Sequence, residues 1–301
     1  MDRKEITERL TDRMLAQLEA GTAPWRKPWT GDGGMPASIS TGRPYRGYNW
    51  FAVSLDAMEK GFASRWWGTY KQIDKYGGKV RKGEKATPVI FWKILKREEK
   101  VSSGETLTKS IPMMRYYNVF NVEQADGLEL PPRFRPVERE PLEVPAACGV
   151  ALDAYKDRPE VRHDGGDRAF YRPGTDTIHL PEESAFESPE GYAETLFHEL
   201  VHSTGHQKRL DRFEAGATQF GCEDYAKEEL VAEMGATLLA SILGVEIDEN
   251  QPAAYVASWL QKLKDDRSLL ISAAQQAQKA VDLILPDGRE EDTEQGNEDN
   301  E

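Results

Sequence analysis

Cysteine is nearly missing from this chain of 301 residues: Cys148 and Cys222 are its only two, far apart and in no Cys-x-x-Cys pair. That excludes a disulfide framework and a cysteine-based zinc finger, and it suits a reducing compartment. Nowhere do 18 apolar residues follow one another, so no segment reads as a membrane-spanning helix. The opening, MDRKEITERLTDRM, is charged throughout and lacks the apolar stretch of a signal peptide. A cytoplasmic protein with no membrane partner is the expectation. What is present, 39% hydrophobic and 30% charged residues, is enough for a sizeable core, and the length suggests two domains.

The net charge of −13 conceals two opposite halves. Residues 1–130 carry 22 Lys+Arg against 16 Asp+Glu, while the rest carries 17 against 36. Within residues 60–100 twelve basic side chains face four acidic ones. An early basic half and a late acidic half need separate explanations.

Five of the 17 prolines fall in LPPRFRPVEREPLEVP, residues 130–145, which has neither helical nor strand period and reads as an extended linker. The closing PDGREEDTEQGNEDNE, with eight acidic residues and almost nothing apolar, reads as a disordered tail. The expected domains are therefore residues 1–128, a linker 129–145, a second domain 146–285 and a tail 286–301. In the first, apolar spacing predicts helices over 3–20 and 49–61 and a short one opened by the capping-box pair Thr69 and Gln72. ATPVIFWKIL and IPMMRYYNVF read as strands joined by a polar hairpin. In the second, helices are expected near 146–156, from the cap Ser188 to Gly205, over 224–243, 252–264 and 267–285, with a hairpin at AFYRPGTDTIHLP. The fold class is α+β: a small α+β domain followed by a mostly helical one with a small sheet.

The strongest chemistry is His198-Glu199-Leu200-Val201-His202. On a helix, positions i and i+4 share a face about 6 Å apart along the axis, so both imidazoles can bind one zinc ion, with Glu199 beside it as catalytic base. A catalytic zinc needs a third protein ligand. The metzincin pattern would place a histidine where Lys208 stands, and His206 comes two residues early, so that pattern fails. YAKEELVAEMGA offers carboxylates instead, at Glu228, Glu229 and Glu233. Glu229 is assigned as ligand, giving a gluzincin-like set, and Glu233, four residues on, as the group orienting a ligating histidine. Leu230, Met234, Leu238 and Ile242 trace the apolar stripe of the same helix. Two histidines and a carboxylate also accept manganese or another divalent metal. In a peptidase, Glu199 would take a water proton and pass it to the leaving amine, and the strand Thr177–Leu180 could pair with an extended peptide. Tyr225, His163 and His179 are candidate oxyanion helpers, and none is assigned.

Six of the seven tryptophans precede residue 93, several among cations: Trp25-Arg26-Lys27-Pro28-Trp29, and Trp50 just after Arg43-Pro44-Tyr45-Arg46-Gly47-Tyr48-Asn49. Aromatic faces interleaved with positive charge are what single-stranded nucleic acid needs, for base stacking and phosphate contact. Trp50 and Trp92 read as core. In a strand, Trp66 and Trp67 point to opposite faces, so one is expected to be buried and the other available, and Trp67 is assigned to DNA. Lys71 and Lys82, in the cluster Lys71, Lys75, Lys79, Arg81, Lys82 and Lys85, are assigned to a phosphate track.

HELVHSTGHQKRLDR followed by YAKEELVAEMGA resembles the zincin-like domain of plasmid-encoded ArdC-type antirestriction proteins. LTDRMLAQLEAGTAPWRKPW, continuing through GRPYRGYNWF, resembles their N-terminal single-stranded-DNA-binding domain, which is also attached to plasmid primases. The resemblance covers nearly the whole chain. It implies an accessory protein of conjugative plasmids that shields incoming single-stranded DNA from host restriction nucleases. His198, His202 and Glu229 would then be ligands, Glu199 the base, and the Trp25–Trp29 and Arg43–Asn49 segments DNA contacts. The alternative it leaves open is an active zinc metallopeptidase that cleaves a host protein, with the basic domain as its targeting module.

Overall fold

The structure is a computed structural model. It describes residues 3–20, 34–100, 106–134, 142–164, 166–213, 223–246 and 253–286. Trp25, Arg26, Lys27, Trp29, Cys222, most of the proline-rich segment and nearly all of the acidic tail lie outside the described residues.

The first half begins with helix α1 (Arg3–Glu19) and helix α2 (Gly47–Lys60), which ends where Gly61 turns left-handed at φ 71°. A four-stranded sheet runs in the order β1 (Ala37–Ser38), β2 (Trp66–Thr69), β5 (Thr106–Asn121), β4 (Thr87–Lys100). The expected hairpin is β4–β5, and its ladder continues well into the polar sequence read as loop, from Thr87↔Val119 to Lys100↔Thr106. Helix α3 (Tyr70–Lys75) opens with the expected capping box: Thr69 Oγ1 accepts from Gln72 N–H, and Gln72 Oε1 accepts from Thr69 N–H at 2.9 Å. A two-stranded ribbon of β3 (Lys79–Val80) and β6 (Ala125–Asp126) was not visible in the sequence pattern.

Trp66 and Trp67 do point to opposite faces, but both are buried, at 6% and 0% exposure. The expectation that one ring would be available is corrected by the covering on each side. Trp67 joins the core under α2, beside Phe62 at 5.9 Å. Trp66 packs edge-on against Phe134 at 4.8 Å and donates its indole N–H to the Phe134 carbonyl at 2.7 Å. Phe134 belongs to a single 3₁₀ turn, Pro132–Phe134, so the front of the proline-rich stretch is docked on the first domain rather than extended.

The second half contains helix α4 (Val144–Ala154), a three-stranded sheet and four further helices. The sheet order is β7 (Glu160–His163), β9 (Thr177–Leu180), β8 (Phe170–Arg172), with β9 parallel to β7 and antiparallel to β8. β9 is therefore central and its backbone is paired on both sides, so the edge pairing expected of Thr177–Leu180 is not open to it. His179, 9% exposed on this strand, bonds Asp164 Oδ2 through Nδ1 at 2.6 Å and stacks on Phe170.

Helix α5 (Pro189–Ser203) starts as expected: Ser188 Oγ accepts from Gly191 N–H at 3.1 Å, with Pro189 in the first turn. Helix α6 (Glu223–Leu243) packs along it, followed by α7 (Ala253–Asp265) and α8 (Leu269–Ile284). Leu230, Met234 and Leu238 of α6 are fully buried, but Ile242, expected in the same stripe, is 43% exposed, in the last turn before Gly244.

One continuous apolar cluster runs through both halves, from Leu18, Trp50 and Trp67 to Leu196, Leu230 and Ala274. The start of α2 sits on α8. Gly47 suits the left-handed backbone at this junction, φ 49°, and its N–H donates to Gln278 Oε1 at 2.9 Å. Arg46, assigned to DNA, is exposed and pairs with Asp282 of α8.

A second close approach fixes α5 against α6. A Cβ at Gly235 would fall 2.8 Å from both methyl carbons of Val201. Overpacking of this kind costs about 1–3 kcal/mol, more than the up to ~1 kcal/mol that alanine gains in a helix. Gly235→Ala is therefore expected to lower the melting temperature. Combined with Val201→Ala it should destabilise less than the two single changes summed, as measured in a double-mutant cycle by thermal denaturation.

Candidate metal centre

α5 carries His198 and His202 one turn apart, and their Nε2 atoms lie 3.0 Å from each other. α6 brings Glu229 against both, with Oε2 3.5 Å from His198 Nε2 and Oε1 3.4 Å from His202 Nε2. These three residues form a group whose donor atoms all lie within 4.8 Å of one another. Donors about 2.0–2.1 Å from a tetrahedral ion are separated by about 3.4 Å, so these three side chains are close enough to share one divalent metal. Two imidazoles and a carboxylate, the donor set present, suit zinc or manganese.

The remaining imidazole nitrogens face carboxylates. Glu233 Oε1 lies 3.4 Å from His198 Nδ1, where the sequence reading put an orienting group. Glu228, weighed as a ligand in the sequence, turns instead to the far side of His202, with Oε1 3.4 Å from Nδ1. A 100° step along α6 separates Glu228 from Glu229, so adjacent residues reach opposite edges of one ring. Glu199 is 6% exposed, and its Oε2 is a buried oxygen with no hydrogen-bond partner among the described residues. An unsatisfied buried carboxylate oxygen that interacts electrostatically with His198 is suited to hold a water.

Two arginines missed in the sequence complete the arrangement. Arg212 forks onto Glu228, with Nη2 2.6 Å from Oε1 and Nε 3.0 Å from Oε2. The same guanidinium donates to the Val201 carbonyl at 3.0 Å and to Thr204 Oγ1 at 2.6 Å, at the C-terminal end of α5. Arg209 donates to the Ser203 carbonyl at 2.8 Å and pairs with Asp176 of the β8–β9 turn. The signal was present in HQKRLDR: the last carbonyls of a helix lack intrahelical donors and favour cations. His206 is buried, with Nδ1 accepting from Lys208 N–H at 3.1 Å, and neither residue joins the cluster. His163 bonds Tyr192 through Nε2 at 3.1 Å, and the Tyr225 side chain lies outside the described atoms.

Burial alone would lower the pKa of both imidazoles. The carboxylates override it: His198 is held well above its ordinary value by Glu229 and Glu233, and His202 is raised to about 9 by Glu228 and Glu229. Burial would likewise raise Glu229, and the two histidines hold it far below the usual carboxylate range instead.

The residues assigned to DNA are scattered. Arg43, Lys71 and Lys82 are exposed. Tyr45, Tyr48 and Trp67 are buried, so none offers a ring face to a base. Asn49 clasps the backbone of β4, accepting from Ile90 N–H and donating to the Ile90 carbonyl, both at 2.7 Å. These side chains were read as binding groups because their sequence neighbours are cationic, whereas they build the contact between α2, β1 and β4.

Two outcomes follow. Arg212→Gln removes the fork that holds Glu228 against His202 and should weaken zinc or manganese binding roughly 10- to 100-fold, measured by competition with a chromophoric chelator. In metal-stripped protein the raised His202 contributes stability that is complete below about pH 6.5 and lost as pH rises through about 9. The melting temperature of the stripped protein should thus fall between those values, and added metal, which needs the imidazoles deprotonated, should remove the fall.

Comparison with known proteins accounts for both halves. Residues 4–120 match the N-terminal domain of the anti-restriction factor ArdC, and residues 154–276 match the zincin-like metallopeptidase family MPTase-PolyVal. The crystal structures of antirestriction protein ArdC from plasmid R388 superpose with TM-scores of 0.74 (metal-free, 42% identity, 96% of that chain) and 0.75 (Mn(II)-bound, 40% identity, 97% of that chain). They cover 92% and 94% of the present chain. An uncharacterised protein of Sinorhizobium fredii, y4eC, is 33% identical over 91% of its length and 93% of this chain. DNA primase TraC of Escherichia coli is 39% identical over 94% of this chain, which spans only 27% of that primase. With an ArdC amino-terminal domain and a zincin-like domain that superpose on almost the full length of a solved ArdC, the chain belongs to the ArdC antirestriction family.

Proposed function

We propose that this protein binds single-stranded DNA through its basic first domain and protects incoming conjugative plasmid DNA from host restriction nucleases. The observation that carries the reading is the superposition on the ArdC of plasmid R388 over 96% of that chain at 42% identity. The charge distribution supports it: Arg43, Lys71 and Lys82 are exposed on the domain that holds the basic excess. Phosphate neutralisation by such side chains gives affinity without sequence preference.

In the second domain His198, His202 and Glu229 hold a divalent metal in this reading, zinc or the manganese seen in the R388 relative. Such an ion supplies Lewis acidity and a bound water of lowered pKa. Glu233 and Glu228 fix the two rings, and Arg212 fixes Glu228. Glu199 Oε2, buried and unpartnered among the described residues, is the atom able to take a proton from water and return it to a leaving amine. That orphaned oxygen favours a second reading, a metallopeptidase that cleaves a host protein while the basic domain targets it.

Glu199→Gln separates the two. It should retain metal and single-strand affinity and protect DNA as well as the parent in a conjugation assay across a restricting host. Loss of protection with binding intact would favour proteolysis instead. On the DNA side, binding should weaken with salt, and Arg43→Gln or Lys82→Gln should each reduce the log–log slope by about 0.7, measured by anisotropy titration.

A further inference from the structure

Trp50, Trp66 and Trp67 offer no ring face to a base, so among the side chains whose exposure is described the candidates for base stacking lie elsewhere. Trp50, Trp66 and Trp67 are 0%, 6% and 0% exposed. Among the described residues, large hydrophobic side chains are exposed at Tyr70 (56%), Tyr116 (39%), Leu142, Val150 and Ile242. The two aromatic ones both belong to the basic domain, and the three aliphatic ones do not.

The sheet register places these tyrosines together. The β2–β5 ladder closes with Thr69↔Val119, so Tyr70 leaves the sheet beside the position of Asn118. Side chains alternate along β5: Tyr117 and Val119 face the core under α2, whereas Phe120 and Val122 face the cluster around Ile73 and Phe134. Tyr116 and Asn118 thus share the face of Phe120, and both are exposed. α3 packs on β2 and β5 through buried Ile73 and begins at Tyr70. Lys71 and Lys75, two residues either side of Ile73, are both exposed on that helix. Tyr116 is thus exposed on the sheet face over which α3 packs, Tyr70 is exposed where that helix begins, and Lys71 and Lys75 are exposed along its outer side.

We infer that Tyr70 and Tyr116 are the platform on which unpaired bases of single-stranded DNA stack, with Lys71 and Lys75 following the adjoining phosphates. The inference rests on the single-strand reading above and names the surface responsible. Exposed phenol rings with flanking ammonium groups suit a flexible polyanion with accessible π-faces. Duplex DNA keeps its base faces stacked internally and cannot use them.

The test is anisotropy titration of a labelled oligo-dT of about 20 nucleotides with the full chain, its Tyr70→Ala and Tyr116→Ala variants and the double variant. Each alanine should weaken binding about fivefold or more and leave the salt slope unchanged, since a ring and not a charge is lost. Tyr70→Phe and Tyr116→Phe should bind like the parent, because the phenyl face remains. Lys71→Gln and Lys75→Gln should instead shallow the slope. If the parent binds the oligonucleotide and the double alanine variant binds it as tightly, the platform is wrong while the single-strand reading stands. If the alanine variants lose duplex affinity to the same extent, stacking is wrong. If the parent fails to bind, the single-strand reading itself falls.

Discussion

The array of carboxylates facing imidazoles across the α5–α6 interface is the constraint on which this second domain turns. Buried acids are costly unless paired, and Glu228, Glu229 and Glu233 all lie on the buried side of α6. His198 and His202 give each a partner, and Arg212 gives Glu228 a second. The array exists only because the helices approach closely, and that approach depends on Gly235 offering no side chain to Val201. Packing and chemistry are therefore the same requirement here: a wider interhelical gap would unpair the acids and separate the donors together.

The loop after α5 matters for the same reason. Arg209 and Arg212 take up the last carbonyls of the helix and tie them respectively to Asp176 and to Glu228. One guanidinium thus terminates a helix, buries its own charge against a glutamate and fixes the ring of a candidate ligand. Replacing it by a lysine would keep the charge but lose the fork that reaches all three groups.

The first domain is not an independent appendage. Its α2 lies on α8, its α1 on α7, and the apolar cluster passes between the halves without a break. Thr11 Oγ1 donates to the Arg267 carbonyl at 3.0 Å, Lys264 pairs with Glu19 at 2.7 Å, and Arg46 pairs with Asp282, so ion pairs of both polarities cross between the halves. Lys71 and Lys75 of α3 remain exposed. Tyr45, Tyr48 and Trp67, read as nucleic-acid ligands in sequence, are part of this joint core, while Tyr70 and Tyr116 are exposed.

The sequence alone determined whatever depends on short-range periodicity. The i, i+4 histidines, the Ser188 cap, the Thr69–Gln72 capping box, the β4–β5 hairpin and the glutamates of α6 were all legible, because each is a pattern repeated over one or two turns of chain. Glu229 and Glu233 could be placed on one face by their spacing. Tertiary structure decided what spacing does not encode: that Glu228 faces the back of His202, that Arg212 reaches it from sixteen residues before, that β9 is central, and that both Trp66 and Trp67 are covered. Those outcomes depend on how far helices are rotated about their axes and on which segments cover each sheet face. Such contacts join residues tens or hundreds of positions apart, where local propensity carries no information.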